Sequence, residues 1–145
     1  MKIKNKVRNT VRWAGGMKCV GEDESGHLIP MEASPRFGGS GEAPHPLQLL
    51  LSSLGGCVAL HFLDLLRRQG KAYASFEVQT EGIRREELPK TFEKLHVKVL
   101  LSGDLDEELV EDTLRHVMTK ECPIAVILGA TCEMKWEYEL VKTPK

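Results

Sequence analysis

The stretch PLQLLLSSLGGCVALHFLDLLRRQ, Pro46 to Gln69, constrains the fold more than any other part of the chain. Proline suits the first turn of a helix, and Gly70 suits the residue just past its end. Fully helical, the stretch spans about 36 Å at 1.5 Å per residue. Leucines fall on every side of its first half, so the sequence predicts a helix buried all round and wrapped by other elements. A membrane span is the competing reading. Gln48, Ser52, Ser53, His61 and Asp64 interrupt the apolar run and no other segment resembles it, so the helix reads as core and no membrane is expected.

The wrapping elements follow from periodicity. Lys4 to Trp13 partly alternates and ends at Gly15–Gly16; Met17 to Val20 and His27 to Met31 read as short strands around the turn EDESG. The proline- and glycine-rich EASPRFGGSGEAPH is a loop. Beyond the long helix, Ser75 to Arg84 and Thr91 to Leu101 alternate as strands, with Leu95, Val97, Val99 and Leu101 on one face. Asp106 to Thr119 is amphipathic, a second helical start follows at ECPIAVILG, and CEMKWEYELV closes the chain as a strand. The order β-β-β-α-β-β-α-α-β predicts an α+β fold in one domain, residues 1–145.

Composition narrows the function. The 145 residues carry a formal net charge of −1, which supplies no basic field for nucleic acid. The opening MKIKNKVRNTVRW has charge without an apolar core, so no secretion signal is read there and the cytoplasm is the expected compartment. In that reducing setting four scattered cysteines, Cys19, Cys57, Cys122 and Cys132, are expected as thiols. No CxxC, CxH or HxxxH spacing occurs, so neither a metal nor a bound cofactor is expected.

Two of the cysteines occupy unusual places. Cys57 follows Gly55–Gly56 deep inside the long helix, with His61 and Asp64 on its face at i+4 and i+7. Two interior glycines cost about 2 kcal/mol relative to alanines, and they allow a substrate or another backbone to approach closely. A buried structural cysteine explains Cys57 equally well. Cys122 immediately precedes Pro123 and so falls at a helix N-cap, where free N–H groups and the dipole favour a thiolate; an indifferent cap is the alternative. Cys19 and Cys132 fall within strands and read as packing.

APHPLQLLLSSLGGC, followed by ECPIAVIL, resembles the superfamily of osmotically inducible protein C and the organic hydroperoxide resistance proteins (OsmC/Ohr), and most of all its less characterised OsmC-like branch. The resemblance implies an intertwined homodimer whose long central helix packs on antiparallel sheets. It implies that Cys57 attacks a hydroperoxide and that Cys122 resolves the sulfenic acid as a disulfide. Arg36, in SPRFGG, stands where the family has a thiolate-holding arginine, with Lys18 as the fallback. The glutamate that orients this arginine is missing: Leu47 and Gln48 stand in its place, and Glu42 on the loop is the possible substitute. His61 then reads as structural rather than as a base.

The chemistry implied is that of a thiol peroxidase. It takes an organic hydroperoxide, favoured by apolar surroundings of Leu50, Leu54, Val58 and Phe62, and uses a dithiol reductant. A homodimeric redox-sensing or small-ligand-binding module without turnover is the alternative. A cysteine-dependent acyl hydrolase using Cys57 and His61 is weaker, because no oxyanion donors are evident.

Overall fold

The computed structural model describes residues 5–142, which form two compact units, one up to Leu50 and one from Leu51 onward. Lys4, read above as the start of the first strand, lies outside the described residues.

The first unit is a three-stranded antiparallel meander. Strand β1 (Asn9–Trp13) pairs with β2 (Lys18–Asp23), and β2 with β3 (Leu28–Glu32). The loop after β3 is ordered by backbone, with a 3-10 turn at Pro35–Phe37 and Gly38 in the left-handed region at φ 94°. Gly39 packs directly on the Ala33 carbonyl, where an added Cβ would sit 1.6 Å from the oxygen. Only glycine fits there.

Helix α1 (Pro46–Arg68) starts at the expected proline and continues into the second unit. It has the length and mean hydropathy, 1.8, that a membrane span would need. Its buried residues, however, form one stripe rather than a full circumference: Leu54, Val58, Phe62 and Leu66 are wholly buried, while Leu60 is 71% exposed. Within one chain the helix is therefore buried along one face and not all round. The stripe packs on the sheet of the second unit, and a helix on one face of a sheet buries one face of its own.

That sheet contains β4 (Ser75–Arg84), β5 (Phe92–Ser102) and β6 (Glu133–Val141), in the order β4-β5-β6. Leu95, Val97, Val99 and Leu101 alternate inward from the central strand and join the α1 stripe in one core. Phe62 meets Phe76 with ring centroids 5.2 Å apart. Each fully buried side chain of this kind contributes roughly 1.5–3 kcal/mol.

The sheet is not purely antiparallel as expected. β4 and β5 are antiparallel, whereas β5 and β6 run parallel over Lys94–Ser102 and Glu133–Val141. A parallel neighbour needs a long crossover. Here it is made by α2 (Glu107–His116), a π-helical turn (Val117–Glu121) and α3 (Pro123–Gly129). The sequence pattern carried the helix to Thr119, but its regular part ends at His116. Cys132 precedes β6 instead of lying in it, and its thiol donates to the Leu128 carbonyl at 3.2 Å.

Candidate redox site

The crossover brings Cys122 beside Cys57. Their side chains are close enough that Cys57 raises the Cys122 pKa through a hydrogen bond and through charge. Both thiols are free. Cys57 is half-buried on α1, and Cys122 is wholly buried at the start of α3.

Cys122 is the N-cap the sequence indicates: its backbone is extended at φ −78°, ψ 108°, and its sulfur accepts the Ala125 N–H at 3.4 Å. Of the two readings of this cap, a thiolate and an indifferent thiol, the thiolate does not follow. Burial, followed by the Cys57 hydrogen bond, pushes the Cys122 thiol up to about 11, against the opposing N–H groups of Ala125 and Ile124. Removing a charge from water outweighs two weak donors to sulfur. Cys122 at neutral pH is therefore a protonated thiol.

The glycines before Cys57 have separate roles. Gly55 is buried against β4, where an added Cβ would touch Thr80 Cγ2 at 3.4 Å. The Thr80 hydroxyl donates to the Leu51 carbonyl at 3.2 Å and fixes the helix to the same strand. Gly56 faces open space. The surface beside Cys57 is thus left bare by Gly56, while Leu54, Val58 and Phe62 point into the core and cannot line a substrate site in the single chain.

The His61 imidazole has no hydrogen-bond partner among the described residues. Asp64 is engaged by Arg67 at 2.5 Å and by Arg68 at 2.9 Å. A Cys57–His61–Asp64 relay is therefore not assembled, since the carboxylate that would orient the imidazole is held elsewhere.

Arg36, Lys18, Glu42 and Gln48 belong to the first unit. Arg36 is exposed in the 3-10 turn, with its guanidinium 5.7 Å from the Phe37 ring centroid, and pairs with no acid among the described residues. Lys18 binds Glu42 at 2.5 Å, which holds its ammonium above the usual lysine range. Glu42 is therefore partnered with Lys18 and not with Arg36. Gln48 is exposed in the first turn of α1.

One residue of this unit has no signal in the sequence. Glu32 is 3% exposed at the end of β3, and its carboxylate accepts from Ser40 Oγ at 2.9 Å, Glu42 N at 2.6 Å and Ala43 N at 3.3 Å. Burial alone would raise its pKa, but these donors together hold it down at about 2. Glu32 also lines an apolar groove of about 500 Å³ with Val11, Trp13, Met17, Cys19 and Met31. Among the described residues, no cluster of three His, Cys, Asp or Glu side chains is placed to hold a metal.

Comparison with known proteins places this arrangement in a class. Residues 39–137 match the family described as OsmC-like protein. The chain is 31% identical over 133 residues to Protein YhfA of Escherichia coli strain K12, covering 90% of this chain and 96% of that one. Among solved structures, a protein of Aquifex aeolicus VF5 superposes with a TM-score of 0.84 at 18% identity, covering 99% of this chain and all of that one. The organic hydroperoxide resistance protein OsmC of Legionella pneumophila gives 0.72 at 16% identity, with 95% and 99% coverage. The chain belongs to the OsmC-like family, and its fold is the one shared with the OsmC and hydroperoxide resistance structures.

Proposed function

We propose that this protein is a thiol peroxidase for organic hydroperoxides, working as a homodimer in the cytoplasm, with residues 1–145 as one OsmC-like domain. The observation that carries this reading is the meeting of Cys57 and Cys122, which no local structure could produce. In the proposed cycle the Cys57 thiolate attacks the outer peroxide oxygen. The O–O bond breaks, a proton joins the leaving alkoxide to give the alcohol, and Cys57 is left as sulfenic acid. Cys122 then displaces hydroxide from that sulfur, its own proton leaving with the hydroxide as water, and a Cys57–Cys122 disulfide forms. A dithiol reductant reopens it by exchange and is itself oxidised. Arg36 is the proposed cation for the thiolate and the peroxide, since a guanidinium stays charged and presents several donors; Lys18 is the fallback. Gln48, Glu42 and His61 have supporting places at most.

Mass spectrometry after one equivalent of cumene hydroperoxide tests the cycle. It is expected to find Cys57 linked to Cys122, with Cys19 and Cys132 reduced. Cys122→Ser should consume the first equivalent and then stall or overoxidise at Cys57, while Cys57→Ser should do neither. Full turnover in Cys57→Ser would sink the proposal. The exposed apolar side of α1, including Leu60, supports the dimer; a folded monomer in light scattering at micromolar concentration would count against it.

A second reading has one observation in its favour. Arg36 lacks an acidic partner among the described residues, so nothing in its own unit pins the guanidinium. A redox sensor needs one oxidation rather than rapid cycling and tolerates a loosely held cation. Steady-state hydroperoxide consumption with excess dithiol distinguishes the two: a single equivalent consumed identifies the sensor.

A further inference from the structure

The segment that delivers Cys122 is not a regular helix. In the π-helical turn Val117–Glu121, the Cys122 N–H reaches back five residues to the Val117 carbonyl at 2.9 Å. A continued α-helix would bond it to residue 118, four back. Each residue advances a helix by about 100°, so the extra residue in this turn decides the direction from which Cys122 leaves α2. Single π turns inside α-helices are rare and are frequent at functional sites.

The turn is held from both sides. Inside, Val117 is wholly buried and Met118 is 4% exposed. Outside, the two residues that bracket the turn are tied together: His116 Nε2–H donates to Glu121 Oε1 at 2.9 Å. These residues are five apart, beyond the three or four at which side chains meet on an α-helix. The pair therefore has this short contact in the π form, and it is adjacent to Cys122 in sequence.

We infer that His116 and Glu121 are positioning residues for the resolving thiol, their contact locking the π turn in the form that presents Cys122 to Cys57. The inference rests on the Cys57–Cys122 pairing proposed above. It does not assign either residue a contact with substrate. Loss of the clamp lets the turn sample the α form, in which Cys122 is rotated away, so the step that suffers is closure of the disulfide and not the first attack by Cys57.

The test uses 2,2′-dithiodipyridine on the full chain carrying Cys19→Ser and Cys132→Ala, so closure is followed without any hydroperoxide. Cys57 thiolate breaks the reagent's S–S bond and leaves a mixed disulfide, and the released pyridine thiolate takes a proton from solvent to give one pyridinethione. Cys122 then displaces the second pyridinethione, its thiol proton ending on the ring nitrogen of that thione, and the Cys57–Cys122 bond forms. His116→Ala and Glu121→Ala are each expected to slow the second release about two- to fivefold, the range an exposed charge-assisted pair supports, and to leave the first unchanged. Glu121→Gln should restore the second release, because its side-chain oxygen still accepts from Nε2–H. An unchanged second release in both alanine variants overturns the inference. So does equal slowing of both releases with a lower melting temperature, or a Gln variant no faster than the Ala variant. A parent chain that never gives the second release also overturns it, since Cys122 is then not presented at all. A parent that closes with this reagent but forms no sulfenic acid with cumene hydroperoxide defeats the peroxidase reading alone; the His116 and Glu121 variants then decide the positioning role.

Discussion

The carboxylate of Glu32 accepts the backbone N–H of Glu42 at 2.6 Å, and Ser40 and Ala43 donate to the same group. This one side chain closes the loop between β3 and α1. Its folded pKa of about 2 lies below the ordinary glutamate value of 4.5. The stability it contributes is fully present above pH 4.5 and is lost as pH falls toward about 2. Urea unfolding midpoints measured across that window should decline in the native protein. Glu32→Gln should be less stable at neutral pH and show a shallower acid decline; an identical decline in both proteins would remove Glu32 as its source.

The Cys122 thiol, pushed up to about 11, should resist alkylation at neutral pH as long as the chain stays folded, and lose that resistance when urea unfolds it. Replacing its neighbour, Cys57→Ala, removes the hydrogen bond and the charge that add to burial. Cys122 should then titrate lower, though still above an ordinary thiol, because burial is the larger cause. Peptide-resolved alkylation against pH reads this directly. A Cys122 profile unmoved by Cys57→Ala would mean that the two sulfurs do not sense each other.

Arg36 and Lys18 make opposite predictions. Lys18 already spends its charge on Glu42 at 2.5 Å, whereas Arg36 has only the Phe37 ring. Arg36→Ala should slow alkylation of Cys57 at neutral pH, and Lys18→Ala should leave it nearly unchanged. If the ranking reverses, the lysine is the cation and Glu42 is its tether.

Phe62 tests the core. It is wholly buried on the α1 stripe and rests on Phe76 at 5.2 Å. Phe62→Ala should destabilise by about 3–5 kcal/mol, read from the denaturant midpoint at constant slope. Leu60→Ala, on the exposed side of the same helix, should change the stability of an isolated chain little. A large loss there would show that a second copy covers it.

Local chemistry made much of this legible. Leu95, Val97, Val99 and Leu101 alternate, so β5 could be read with its inward face; Pro46 and Gly70 punctuate α1; Pro123 marks Cys122 as a cap. What escaped was non-local. Nothing in CEMKWEYELV says that β6 runs parallel to β5, because the pairing partner is chosen by the crossover and not by the strand. The charge state of Cys122 escaped for a similar reason: the N-cap is visible in sequence, while the burial that overrides it is made by α1 and the sheet. Glu32 reads in sequence as the first residue of the loop, whereas it ends β3 and takes its donors from the loop folded back on it. The cysteine pair itself was reached through family resemblance and not through spacing.

The parallel register of β6 on β5 also orders events in time. On a ribosome, Cys57 and both strands of the β4–β5 hairpin emerge well before the crossover is complete. A hairpin closes locally, but β6 can dock only after α2, the π turn and α3 have been made and packed. The second thiol is seated by that same late segment. A nascent chain therefore carries Cys57 unaccompanied while residues 58 to 122 are made, and on the proposed cycle an oxidant arriving then converts its thiol to a sulfenic acid that has no resolving thiol in place.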